Sequence, residues 1–161
     1  MNKIYGATGR QDGLYLIGRN KWELIYGYGK DDNAEFGYNY RQRFTRKPTP
    51  DEIKEVIKTT VNEATSAKIL SGFVWKEIPV WLSMEQQANF SQIGLGGVDY
   101  PLELKLGEAA DGTPYYYTFE SAEEFADFSK AVTKFIIETV QAGWREKDEL
   151  DKNMDAFAEQ A

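Results

Sequence analysis

Few kinds of residue in this chain could do chemistry. Among its 161 residues there is no histidine and no cysteine. That excludes Ser–His–Asp and Cys–His nucleophilic systems. It also excludes zinc sites of the usual Cys/His type and any disulfide. Catalysis would have to rest on carboxylates, lysine, tyrosine or a hard metal ion. Paired carboxylates could hydrolyse a glycoside if two of them faced each other at ~5–9 Å. The many acids here lie on charged helix faces or in turns, and nothing singles out a pair. Asp31, Asp32, Asn33 and Glu35 offer oxygen ligands for calcium, but their spacing does not fit an EF-hand loop, so a solvated hairpin turn is the expectation. The "GLGG" at residues 94–97 follows a helix and leads to a strand. A phosphate cradle needs the reverse order, so this too reads as a turn.

Two stretches are better suited to binding than to catalysis. "YRQRFTRK", residues 40–47, interleaves basic and aromatic groups. Such a strand can stack on single-stranded nucleic acid, or its arginines can guard an exposed sheet edge; an edge or interface is the favoured reading. Tyr38, Tyr40, Arg41 and Arg43 are its candidates. "GFVWKEIPVWLSMEQQANF", residues 72–90, places Trp75 and Trp81 around a short hairpin. They could be core, a sugar-stacking platform or an assembly surface. Trp144, in the last helix, completes the candidate surface residues. No catalytic, cofactor or metal residue is assigned, and no enzymatic activity is expected.

These residues need elements to hold them. Residues 1–47 read as β-structure and turns, with three antiparallel strands expected, the clearest alternating Phe36, Tyr38 and Tyr40 against Asn39, Arg41 and Arg43. Thr49, Pro50 and Glu52 form a capping box with proline at the first helical position. Ile53, Val56, Ile57, Thr60, Val61 and Ala64 follow at helical spacing, so a helix is expected over about 49–66. "GFVW" and "PVWL" then form short strands, and Ser83 with Gln86 caps a short helix ending at the glycines. Leu102, Leu104 and Leu106 alternate against Glu103 and Lys105 in a second hairpin, which returns through "PYYYTF". Ser121 and Glu124 open a long helix, expected over about 121–144 or beyond, with Phe125, Phe128, Val132, Phe135, Ile136 and Val140 on one stripe. Phe125, Phe128, Val132, Phe135 and Thr139 also keep 3, 4, 3, 4 spacing, as a helical seam between subunits would, although packing on the domain's own sheet would show the same pattern. The expected class is α+β, with antiparallel hairpins packed on helices. An aromatic, Gly-rich β segment (1–48) is expected to precede an α+β domain (49–161).

Composition narrows the partners. Aromatic residues make up 14% of the chain and ten are tyrosines, which favours sheet surfaces and interfaces over a plain aliphatic core. The net charge is −7, yet residues 1–50 carry nine Lys/Arg against five Asp/Glu. Two solvated surfaces are the favoured reading; the alternative is that the basic end docks on an acidic partner, including another copy of the chain. Overall acidity argues against nucleic acid as the main ligand. No apolar run approaches the ~18 residues of a membrane span, so no membrane insertion is expected. The first residues show no apolar segment behind Lys3, so no signal peptide is expected either.

The block "KILSGFVWKEIPVWLSMEQQANFSQI", followed by "YYYTFESAEEFADFSKAVTKFIIETVQAGWREKDELD", resembles small uncharacterised proteins of phages and prophages of gut anaerobic bacteria. These carry a similar "GFVW…PVWLS…QxNF" hairpin and helix, a "Y-x-TF" strand and a long helix ending near "GWxxKD". More distantly, it is similar to a domain of unknown function at the C-termini of phage tail-fibre-like proteins. The resemblance covers roughly residues 62–151, with "GYNYR" a looser match before it. The segment "QANFSQIGLGGVDYPL" is shorter here than the resemblance leads one to expect.

The resemblance implies a virion-associated structural protein: a head or tail fibre, or a decoration or accessory component. It would be made in the host cytoplasm, self-associate with a trimer favoured, and attach to another virion protein. It carries over no catalytic residues. A module binding a host-surface glycan, or a non-virion assembly factor, are the alternatives. If Trp75 and Trp81 are core, Trp75→Ala and Trp81→Ala each cost ~3 kcal/mol or more of stability, read as a fall in the denaturant midpoint.

Overall fold

The computed structural model describes residues 1–160 and is an α+β fold. Its contacts divide the chain into two compact units, Met1–Asn62 with the segment from Trp144 onward, and Glu63–Gly143. Both boundaries fall inside helices. The turn expected to divide the chain near residue 48 instead lies within the first unit.

The first unit is a five-stranded sheet in the order β1-β4-β3-β2-β9: β1 Asn2–Ala7, β2 Gly13–Gly18, β3 Lys21–Gly29, β4 Gly37–Phe44 and β9 Glu159–Gln160. All pairings are antiparallel except β2 with β9. One strand more than expected therefore forms before residue 47. It is β1, five of whose six residues are exposed, so it carries no alternation by which to recognise it. "YRQRFTRK" does not begin an edge strand: β4 lies between β1 and β3.

Alternate residues of β2 and β3, namely Leu14, Trp22, Leu24 and Tyr26, face a core completed by Ile53, Ile57, Val61, Leu150 and Phe157. Ile53, Ile57 and Val61 share one face of α1 (Pro50–Ser71) by their spacing of four. The expected capping box is present. Glu52 N–H donates to Thr49 Oγ1 at 3.2 Å, and Thr49 N–H donates to Glu52 Oε2 at 2.7 Å. The helix runs five residues past the expected end at 66, because nothing from Ala67 to Ser71 breaks it before Gly72. Beyond α3 (Ala122–Lys152), a 3-10 turn at Met154–Phe157 buries Phe157 in this core.

The second unit holds two hairpins, β5 (Phe73–Trp75) with β6 (Ile78–Val80), and β7 (Leu102–Glu108) with β8 (Pro114–Phe119), together with α2 (Met84–Gly94). Lys76 and Glu77 both have positive φ, 45° and 69°. They make the two-residue turn whose twist suits a tight hairpin. Trp81 N–H donates to Leu106 O at 2.8 Å, tying the hairpins together. A Cβ at Gly107 would sit 2.8 Å from Pro79 O, so the close approach needs glycine there. Ser83 caps α2 by accepting from Gln86 N–H. The Gln86 amide does not close the box; it donates to Lys105 O instead.

The apolar stripe of α3 fills this unit's own core. Phe125, Phe128 and Val132 pack with Phe73, Phe90, Leu106 and Phe119. This corrects the reading of that stripe as a seam between subunits, since Phe125 and Phe128 are fully buried within one chain. Gly143 does not interrupt the helix. A Cβ there would meet Thr65 Oγ1 at 2.7 Å, so glycine permits the close packing of α3 on α1 at that point.

Phe128 has five aromatic neighbours, Phe73, Trp75, Phe90, Phe119 and Phe125, with centroids 4.9 to 6.1 Å away. Phe128→Ala is expected to cost about 3–5 kcal/mol, measured as a fall in urea midpoint. Ile137→Ala, at an exposed position of the same helix, is expected to stay within about 0.5 kcal/mol.

Candidate recognition site

The register separates the candidates on β4. Tyr40 stands opposite Tyr26 and Tyr38 opposite Tyr5, whereas Arg41 stands opposite Ile25 and Arg43 opposite Glu23. Opposed residues share a face, so the tyrosines lie on the helix-covered face and the arginines on the other.

On the tyrosine face, Tyr5, Tyr38 and Tyr40 form two successive edge-to-face contacts at 5.7 and 5.8 Å. The Lys3 ammonium sits 3.7 Å from the Tyr38 ring centre and 3.3 Å from Asp31 Oδ1. Tyr5 OH donates to the other oxygen of Asp31. The Asp31 carboxyl is held below its ordinary range by these bonds, that from Tyr5 first. The turn considered for calcium thus has both Asp31 oxygens engaged. Among the described residues no group of three or more acidic side chains converges to hold a metal ion.

On the opposite face, Arg43 Nε donates to Glu23 Oε1 at 3.1 Å and Arg41 Nη1 reaches Glu23 Oε2 at 3.5 Å. Arg41 Nε also donates to the fully buried Asn39. The arginines therefore bracket one buried carboxylate rather than present a bare basic strip. Elsewhere in this unit, a cavity of about 600 Å³ is lined by Arg10, Asp12, Tyr26 and Glu146 among others. These four are also paired with one another. Arg10 bonds Asp12, and Tyr26 OH donates to Glu146 at 2.6 Å. Burial first, and then this bond to Glu146, pushes the Tyr26 phenol up. Trp144 is exposed, in a shallow depression with Lys58, Lys147, Asp148 and Asp151.

In the second unit the two tryptophans part company. Trp75 is half-buried, edge-on to Phe128 at 5.4 Å. Its strand partner is Ile78, not Trp81. Beside it, Lys76 Nζ lies 2.8 Å from both Glu124 Oε1 and Tyr117 OH. Tyr117 OH also bonds Glu124, whose second oxygen accepts from Glu120 N–H at 2.8 Å. The Glu124 carboxyl is held down at about 2 by Lys76 first, then Tyr117 and the Glu120 amide. Lys76 is correspondingly held above its ordinary range, by Glu124 first. This cluster pins the strained turn to the start of α3.

Trp81 is 52% exposed, which removes core from the readings open for it. Its backbone N–H is taken by Leu106, and Leu82 next to it is buried, so the peptide is fixed while the indole faces outward. It borders a cleft of about 240 Å³ with Glu85, Gln86, Asn89, Lys105 and Glu108. The sequence named the tryptophan but not these partners, because α2 and β7 are separated along the chain and their meeting depends on the fold. Trp81→Ala is expected to lower stability by about 1 kcal/mol, well short of the ~3 kcal/mol or more that full burial would bring.

No family model, curated protein or solved structure matches this chain. Among the described residues, no helix is long and apolar enough to cross a membrane.

The Glu124 cluster has a pH signature. A carboxylate held at about 2 against an ordinary 4.5 contributes fully above pH 4.5 and loses that contribution as pH falls towards 2. Glu124→Gln is therefore expected to lower the urea midpoint at neutral pH. The gap to the parent should close over that acid window. Denaturation at stepped pH measures it, and a gap persisting at the acid end would show that charge is not what Glu124 supplies.

Proposed function

We propose that this chain is a virion-associated structural protein that works by attachment, to copies of itself and to another virion component. One structural observation supports the self-association most: the outer side of β1 has no strand partner among the described residues. Its Ile4 and Tyr5 are exposed, as is Phe36 just before β4. Open strand edges invite pairing with another chain, and proteins usually guard them, often with lysine. Here the edge lysine, Lys3, is drawn into bonds with Asp31 and the tyrosine rings. What remains is an apolar, aromatic edge suited to adding a strand. A closed trimer is the favoured assembly. The phage setting rests on the resemblance over residues 62–151, a part of the chain separate from this edge.

Light scattering across a concentration series is expected to give a closed oligomer that Ile4→Lys converts to monomer, because a charge placed on the edge opposes pairing. A monomer at every concentration would sink self-association. Mass spectrometry of purified particles from a phage encoding this chain is expected to find it; its absence from them would leave an assembly factor.

A further inference from the structure

The Trp81 cleft is not needed for attachment through β1, and its chemistry points elsewhere. Three features of the second unit converge on it. First, the indole is 52% exposed although its backbone is fixed on both sides, through the bond to Leu106 and the buried Leu82. The peptide that carries the ring is anchored, so a ligand stacking on the indole need not order the backbone beneath it. Second, Gly107 lines the cleft next to Trp81. Glycine is demanded there by the 2.8 Å approach to Pro79 O, so no side chain from that position covers the ring. Third, the remaining wall is polar in a mixed way. Asn89 offers both a donor and an acceptor. Gln86 has its NH₂ committed to Lys105 O, which orients the amide and leaves its carbonyl oxygen without a partner among the described residues. Lys105 is neutralised by Glu108, and Glu85 adds a carboxylate acceptor.

An aromatic face beside amide and carboxylate groups, one of them oriented by its bond to Lys105 O, matches a ligand with one apolar face and a rim of hydroxyls. The pairing of Lys105 with Glu108, together with Glu85, leaves no surplus positive charge to hold a phosphate or a carboxylate. The volume, about 240 Å³, lies below the ~300–1,000 Å³ of sites for drug-sized ligands. We propose that this cleft binds a single hexopyranose ring, stacked by its axial-hydrogen face on Trp81 and hydrogen-bonded by Asn89, Gln86 and Glu85.

The test follows the indole N–H signals of the intact protein by ¹H–¹⁵N NMR. Trp144 serves as an internal control, because it is just as exposed but sits among charged groups. The probes are methyl β-D-glucopyranoside, methyl β-D-galactopyranoside and mannitol, an open-chain polyol with hydroxyls but no ring face. The Trp81 signal is identified by its loss in Trp81→Ala. It is expected to shift saturably with at least one glycoside, while Trp144 stays still and mannitol has no effect. Saturation transfer to the same glycoside is expected to vanish in Trp81→Ala. Asn89→Ala, on the exposed side of α2, should weaken binding roughly 2–10-fold, the loss of one hydrogen bond. The proposal is overturned if neither glycoside shifts Trp81, if mannitol or Trp144 responds equally, or if saturation transfer survives in Trp81→Ala.

Discussion

Strands β5 and β6 are three residues each, and a hairpin that small is marginal on its own in water. It stands because Phe128 reaches it from α3, with Phe73 and Trp75 both against its ring. The same phenylalanine meets Phe90 of α2 and Phe119 of β8. One side chain thus brings together a helix and two hairpins that no continuous sheet joins. The placement of Trp81 depends on this, since its peptide is gripped between β6 and Leu106 only when both hairpins are seated.

Charge repeats one device at both long helices. Thr49 with Glu52 opens α1 and Ser121 with Glu124 opens α3, and in each case the acid also binds a cation from outside the helix, Arg46 or Lys76. Each acid accepts a backbone N–H at or just before the helix start, favours the positive end of the helix dipole, and fastens a neighbouring turn. For α3 that turn is the Lys76–Glu77 pair, whose positive φ angles are unfavourable for residues with a Cβ. The tie to Glu124 offsets that strain. The basic surplus of the first fifty residues is absorbed similarly, with Arg41 and Arg43 around the nearly buried Glu23.

What the sequence made legible was local. Thr49-x-x-Glu52, Ser83, Ser121-x-x-Glu124 and the alternating leucines of β7 each state their structure within a few residues, and each formed, although Glu124 reaches back to the Glu120 N–H rather than to that of Ser121. What it hid was set by pairing at a distance. Strand β1 has no alternation because most of it is exposed, and β9 is two residues whose partner, β2, lies at the other end of the chain. With β1 hidden, β4 looked like an edge when it is interior. The stripe on α3 was plain, but a helical stripe fills its own core or a neighbour's with the same spacing, and only the positions of Phe73, Phe90 and Phe119 decide which.

The two tryptophans show the same limit at the level of a site. Both flank the hairpin "VWKEIPVW", and residue type predicts burial for each. The parity of the strands separates them. Trp75 shares its face with Phe73, which is buried; Trp81 follows Val80, which is buried, and so is turned the other way. A one-residue difference in phase converts a core anchor into a presented ring. Exposing half of an indole forfeits part of the free energy its full burial would supply, and the hydrogen bond to Leu106 uses only backbone and does not require an indole there. An anchored backbone, a half-exposed ring and a glycine packed against the neighbouring strand are the features on which the proposed sugar site rests.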